Sequence, residues 1–421
     1  MSASWRMKAL CLAGRIILEN GGETYRAEDT VMHIAQALGL AEVDVFGVPS
    51  GMFVSYTDEN DNRQTSVSRV YLKGFHLARV DAVNQISRKL TSGELEPSGL
   101  YAALKDAERL GADLSPWYMP AAAALSALGF AVMFGGGPID MLIGAFCAAL
   151  TQLVNNRLSH RTAGSMASAL IGSVFCTMIP LLFHAVTGLG VTDAMVVSAL
   201  MPLLPGLSMT NAVQDILRGD MVSGVAHGAR AVMIAALVAG GALMGTRLFH
   251  MMELGMHLAQ VTPAAAQSAQ LSMAGQVLMV AASSFVAGAG FGALLHAPKK
   301  AILWGGLIGI VGYLTYWFMM QESISEIIAM FVAAFVAATF GQLAARKLRM
   351  IATVFVTIAI LPLVPGLGLY RAMSALGQSD ISGGLAIAAK TMALFLIMAI
   401  GIGLGSALFS VRRRQESRVR F

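Results

Sequence analysis

The sequence predicts a polytopic α-helical membrane protein, with ten transmembrane helices as a 5+5 inverted-topology repeat behind an N-terminal cytoplasmic α+β domain. Three observations lead there. The 421 residues are 56% hydrophobic and 13% charged, with a mean hydropathy of +0.67, roughly half the charge of an ordinary soluble chain. The stretch MPLLPGLSMTNAVQDILRGDMVSG, residues 201–224, returns in degenerate form as LPLVPGLGLYRAMSALGQSDISGG, residues 361–384. Apolar blocks of bilayer-spanning length follow one another from Trp117 onward.

Residues 1–115 form the predicted cytoplasmic domain. MKALCLAGRIILENG is amphipathic, and YRAEDTVMHIAQALGL repeats apolar residues at helical spacing until Gly39. EVDVFGV, GMFVSYTD and TSVSRVYL alternate apolar with polar residues, and ENDNR supplies turn chemistry between the last two. LARVDAVNQISRKLTSG and SGLYAALKDAERLGA restore helical periodicity, so the expected order is αα-βββ-αα. The first membrane repeat, 116–249, contains apolar blocks near 117–135, 139–156, 164–187, 191–207 and 224–248. An external linker, 250–272, precedes the second repeat, 273–411, with blocks near 273–295, 301–319, 324–343, 350–368 and 384–410; residues 412–421 form a basic cytoplasmic tail.

The repeat is ungapped. Pro202 and Pro362, Pro205 and Pro365, Gly206 and Gly366, Asp220 and Asp380, Gly224 and Gly384, and Arg230 and Lys390 all stand 160 residues apart. Five spans per copy require the second copy to enter the membrane from the opposite side. The charges agree. With the N-terminus inside, Arg157, Arg161, Arg218, Lys299, Lys300, Arg346, Lys347, Arg349 and Arg412 to Arg414 fall in cytoplasmic segments, whereas GGGPID, HAVTGLG and the linker carry no Lys or Arg, leaving Arg371 as the exception. Topology therefore accounts for the net charge of +5 without nucleic acid. Both termini are expected on the cytoplasmic side of the membrane.

Each copy interrupts an apolar segment with two prolines and a glycine, removing backbone donors. Broken helices at matching positions of two halves point to a substrate site, because freed backbone groups are tolerated where they line a cavity or pack against protein. Pro202, Pro205, Gly206, Pro362, Pro365 and Gly366 are therefore candidate binding or gating residues. Arg230 and Lys390 lie inside apolar spans, where a cation needs a partner; a substrate carboxylate would serve both, snorkelling would serve Arg230, and Lys390 calls for an anion. Asp220 and Asp380 either cap the helices that follow or bind protons. Asn211 and Asp215, present only in the first copy, lie on MTNAVQDILRG, an expected amphipathic cytoplasmic helix whose amide and carboxylate are candidates to gate or bind. Glu23, Tyr25, Arg26, Glu28 and Asp29 form a polar cluster after two glycines, read either as a ligand site or as a helix start. Cys11, Cys147 and Cys176 lack metal-ligand spacing, and no phosphate loop, nucleophile elbow or dinucleotide fingerprint stands in a matching context. No cofactor, metal or enzyme activity is expected.

GGETYRAEDTVMHIAQALGL and PLLPGLSMTNAVQDILRGD resemble the threonine/serine exporter family, and the resemblance covers the whole chain in a fused form of two components. It implies export of threonine and serine driven by the proton motive force, with protons and a small carboxylate-bearing molecule as partners. A dicarboxylate exporter of the succinate type is the alternative of the same architecture. A membrane-anchored sensor or enzyme acting through the N-terminal domain is the alternative of another class. Homo-oligomerisation is left open.

Overall fold

The computed structural model describes residues 3–58, 61–71, 74–112, 114–158, 164–217, 219–256, 272–377 and 380–418. Arg161, Arg218 and most of the expected linker lie outside the described residues.

The N-terminal unit begins with α1 (Ala3–Glu19) and α2 (Thr24–Ala37). Strands β1 (Ala41–Val48), β2 (Gly51–Thr57) and β3 (Arg63–Arg69) form an antiparallel sheet in the order β1-β2-β3, with Val45 opposite Val54 and Val54 opposite Ser66. Strand periodicity puts Met52, Val54 and Tyr56 on one face, and all three are fully buried. Met52 reaches the position a side chain would occupy at Gly14, which brings α1 onto that face. Helices α3 (Leu77–Thr91) and α4 (Leu100–Arg109) complete the unit. The elements thus follow the helix, strand, helix order that periodicity indicates.

The remainder is helical: α5 (Tyr118–Met133), α6 (Pro138–Leu158), α7 (Gly164–Thr187), α8 (Thr192–Leu200), α9 (Gly206–Leu217), α10 (Met221–Met256), α11 (Met273–Leu294), α12 (Lys299–Gln321), α13 (Glu326–Leu348), α14 (Ala352–Ile360), α15 (Gly366–Gly377) and α16 (Ile381–Arg418). Among the described residues, seven of these helices are long and apolar enough to cross a membrane, which makes the chain a polytopic membrane protein. Two further apolar pairs, α8 with α9 and α14 with α15, are bent by 54° and 47°, and α5 is apolar but has only 16 residues. Seven continuous helices of spanning length and two bent pairs are thus what the described residues contain. The blocks expected at 191–207 and 350–368 bend where the prolines withhold their N–H groups, at short 3-10 turns over Met201–Leu203 and Leu361–Leu363. Three pairs of helices start in matching positions: Thr192 and Ala352, Gly206 and Gly366, and Met221 and Ile381 stand 160 residues apart.

Small residues set the closest helix contact. A Cβ at Gly129 of α5 would strike the backbone of Ser283 and Ala287 in α11, and one at Gly290 would strike the backbone of Ser126. Only glycine permits that approach.

The N-terminal unit is seated on the helical part through backbone groups. Leu77 N donates to Leu295 O (2.9 Å), Ala78 N to His296 O (3.0 Å), and Ile351 N to the buried Asp81 carboxylate (3.1 Å). The His76 and His296 rings stack at 4.5 Å across the same junction.

Candidate functional site

Both breaks are built alike. Leu204 N bonds Met201 O (3.2 Å) and Gly206 N bonds Leu204 O (2.9 Å); in the second copy Val364 N bonds Leu361 O (3.2 Å) and Gly366 N bonds Val364 O (2.7 Å). Pro202 and Pro362 sit inside the 3-10 turns, while Pro205 and Pro365 start the second arm. The two breaks then meet. A Cβ at Gly206 would lie 2.7 Å from Val364 Cγ1, and one at Gly366 would lie 2.5 Å from Met201 Sδ and 2.8 Å from Leu204 Cδ1. Each glycine is the notch into which the other copy's break fits.

A polar recess enclosing ≈ 420 Å³ of empty space, open solvent included, lies beside this crossing. Its polar lining includes Arg26 from α2, Asn211 and Gln214 from α9, Gln342 from α13, and Thr353 and Thr357 from α14. Asn211 is 6% exposed. Among the described residues, the side chains of Asn211, Gln214 and Gln342 have no hydrogen-bond partner in the protein. Three amides thus offer donors and acceptors to whatever occupies the space.

Arg26 is held by a closed set of bonds. Its Nε donates to Glu23 Oε2 (2.8 Å), and Nη2 donates to Tyr25 OH (2.9 Å) and to Thr353 Oγ1 (2.6 Å); the Thr353 hydroxyl donates to Glu23 Oε1 (2.8 Å). Glu23 is 2% exposed. Burial alone would push its carboxyl up, but the Arg26 charge and the bonds from Arg26 and Thr353 outweigh that and hold it below the usual carboxylate range. Nearby, Glu28 accepts from Gly47 N (2.7 Å) and is pushed up by burial, with the charge of Asp220 adding to the shift.

A second recess of ≈ 480 Å³ lies between α8, α10 and α15, and no residue of the N-terminal unit lines it. Its lining contains Leu200, Tyr370, Ala242 and Thr246, whose counterparts 160 positions away, Ile360, Thr210, Ile402 and Ser406, all line the first. The two spaces are duplicates with unequal chemistry: amides and an arginine in one, mostly aliphatic carbon in the other.

The remaining candidates are distributed as follows. The segment around 209–217, expected as a surface helix, is the second arm of a bent pair with Thr210, Asn211 and Asp215 buried, because the break turns α9 inward against α10 and α16. Asp215 is fully buried; its Oδ2 is 3.0 Å from His227 Nδ1 and its Oδ1 has no hydrogen-bond partner among the described residues. Asp220 accepts from Ser223 N (3.3 Å) and Asp380 from Gly383 N (2.9 Å), so both cap the helices they precede. Lys390 finds its anion within the protein, Glu326 Oε2 at 2.6 Å, and is 63% exposed. Arg230 is half-buried and makes no ion pair among the described residues. Neither of these two cations lines a recess. The cation that does is Arg26, which sequence reasoning had only in a polar cluster; the signal that could have singled it out is an acid three residues earlier, at helical spacing, behind two glycines. Gln342, Thr353 and Thr357 carried no signal, being isolated polar residues in apolar runs.

Comparison with known proteins follows the same division of the chain. The profile of a family described as "Putative threonine/serine exporter" matches residues 8–249, and one described as "Threonine/Serine exporter, ThrE" matches residues 280–408. A "Probable threonine/serine exporter" of Mycobacterium tuberculosis is 22% identical over 406 residues, covering 96% of this chain and 76% of that protein. A "Threonine/serine exporter" of Corynebacterium glutamicum is 22% identical over 418 residues, covering 95% and 82%. A "Probable succinate transporter subunit YjjP" of Escherichia coli is 21% identical over 242 residues, covering 57% of this chain and 93% of that protein. No solved structure matches.

Proposed function

The chain belongs to the threonine/serine exporter family, and from that premise we propose that it is a secondary-active exporter of threonine and serine, driven by the proton motive force. The observation that carries this reading is the pair of duplicate recesses on either side of two helix breaks that fit into one another. In an inverted repeat, related spaces face opposite sides of the membrane, as alternating access requires. Counting each bent pair as one crossing and α5 as another gives ten crossings, with both termini in the cytoplasm. Substrate enters the polar recess beside the N-terminal unit, passes Pro202, Pro205 and Gly206 against Pro362, Pro365 and Gly366, and leaves through the second recess.

For the coupling proton we assign the Asp215–His227 pair. Its carboxylate is fully buried, one carboxylate oxygen is unpartnered among the described residues, and the second copy has Ala375 and Ile387 in the place of the pair, so only one half carries the group. Glu23 and Asp220 act on Asp215 electrostatically from α2's N-terminus and from the start of α10. Asp220 and Asp380 keep their capping role.

One observation favours a second reading. No carboxylate lines the polar recess among the described residues, so the ammonium of an amino acid must rely on amide and hydroxyl oxygens, whereas a dicarboxylate would not need an anion there.

Counterflow in proteoliposomes tests both. Vesicles loaded with unlabelled threonine, serine or succinate are expected to accumulate labelled threonine and serine, and an imposed pH gradient to increase that accumulation. The Asp215→Asn variant is expected to keep exchange and lose the response to the gradient. Counterflow with succinate alone establishes the second reading, and none with any of the three refutes export of these molecules.

A further inference from the structure

We propose that Arg26 is the residue that binds the substrate carboxylate, so that the N-terminal unit forms one wall of the transport site; this rests on the exporter reading above. Among the described residues Arg26 is the one cation lining the polar recess. The cations of the helical part are elsewhere: Lys390 is paired with Glu326, and Arg230 lines neither space. A carboxylate entering the recess therefore meets a single guanidinium, and that guanidinium comes from α2.

Its geometry suits the task. Nε and Nη2 are committed to Glu23, Tyr25 and Thr353, which fixes the plane of the group, and Nη1 has no acceptor among the described residues. A planar guanidinium held on one side and free on the other is pre-organised for a carboxylate oxygen, because the ordering cost is already met by the protein. Asn211, Gln214 and Gln342 surround it with neutral donors and acceptors for the rest of a small polar molecule. The same bonds also tie α2 to α14, since Thr353 contacts both Arg26 and Glu23. A substrate carboxylate on Nη1 shares the guanidinium charge with Glu23, so binding weakens the Arg26–Glu23 bond that helps tie the N-terminal unit to the helix leading into the second break. The unit is then part of the gate as well as the site.

The test uses the full chain in proteoliposomes, with counterflow of whichever of threonine, serine or succinate the unaltered protein exchanges. Inhibition by the unlabelled acid is compared with inhibition by its carboxamide, which keeps shape and removes the charge. The unaltered protein is expected to prefer the acid by at least ~10-fold, the scale of a hydrogen bond to a charged group. Arg26→Gln is expected to abolish the preference and Arg26→Lys to retain part of it. Because Arg26→Gln strands the buried Glu23 carboxylate, the double variant Glu23→Gln/Arg26→Gln, which removes both charges, serves as the folded control and is expected to lack the preference too. Glu23→Gln alone, which keeps an acceptor for Nε and removes the rival negative charge, is expected to lower the half-saturating concentration of the acid. An undiminished acid preference in Arg26→Gln or in the double variant overturns the assignment while leaving the exporter reading intact. Absence of counterflow in the unaltered protein with all three substrates overturns both.

Discussion

Glu23 and His76 place opposite chemical demands on the junction between the N-terminal unit and the helices. A carboxylate that is 2% exposed beside a guanidinium is stable only while ionised. Its folded value lies below the ordinary 4.5, so its contribution is present above that pH and is lost as pH falls through the folded value. His76 must stay neutral: burial, the neighbouring His296 and then Arg79 pull it from 6.5 to about 3. In the unfolded or undocked chain the imidazole takes a proton below 6.5 while the docked one does not, so stability is full above 6.5 and declines as pH falls below it. His296, lowered first by burial, acts in the same sense. The protection against hydrogen exchange of the first turn of α3, relative to the intrinsic exchange rate at each pH, is therefore expected to be lower at pH 5.5 than at pH 7.5, since its Leu77 and Ala78 amides bond to the 295–296 carbonyls. His76→Gln should flatten that difference. Equal protection of the unaltered protein at both pH values would contradict the account. At this scale the sequence showed which residues were polar and costly but not their partners. Lys390 was expected to need an anion and has Glu326, whereas Arg26 stood in the sequence only as one member of a polar cluster, because its partner Thr353 lies 327 residues away.

At the scale of elements, the breaks were legible because proline and glycine act locally: a missing N–H interrupts a helix wherever it stands. The burial of α9 was not legible. Its pattern is amphipathic, and an amphipathic helix can rest against a headgroup layer or against other helices with the same residues facing inward; the notch at Gly206 decides for the latter. That notch makes a direct prediction. In Gly206→Ala the new methyl meets Val364 Cγ1 at 2.7 Å, and a β-branched side chain has little rotamer freedom with which to yield. The expected cost is about 1–3 kcal/mol, read as a lower unfolding temperature and slower counterflow. Gly240→Ala in α10, where a Cβ would meet nothing within 4 Å, is the control and should be neutral or slightly stabilising. Equal behaviour of the two variants would show that the crossing is not tightly fitted.

At the scale of the whole molecule, the duplication could be read directly, since residues 160 apart match without gaps and their helices begin together. The seating of the N-terminal unit could not, because it depends on main-chain groups, the carbonyls of Leu295 and His296 and the amide of Ile351, that any residue carries. Nor does either repeat alone contain the difference between the recesses. Asn211 faces one while its counterpart Arg371 is absent from the other, and Tyr370 stands where the first copy has Thr210. The central claim is that the two recesses open in turn to opposite sides of the membrane. Its most direct test is cysteine accessibility in oriented vesicles, with Cys11, Cys147 and Cys176 replaced by alanine and a single cysteine placed at Asn211 or at Thr246. The account expects an impermeant maleimide to reach position 211 only from the side bearing the N-terminal unit and position 246 only from the other, with transported substrate changing the two rates in opposite directions. Labelling of both positions from the same side, or rates indifferent to substrate, would contradict it.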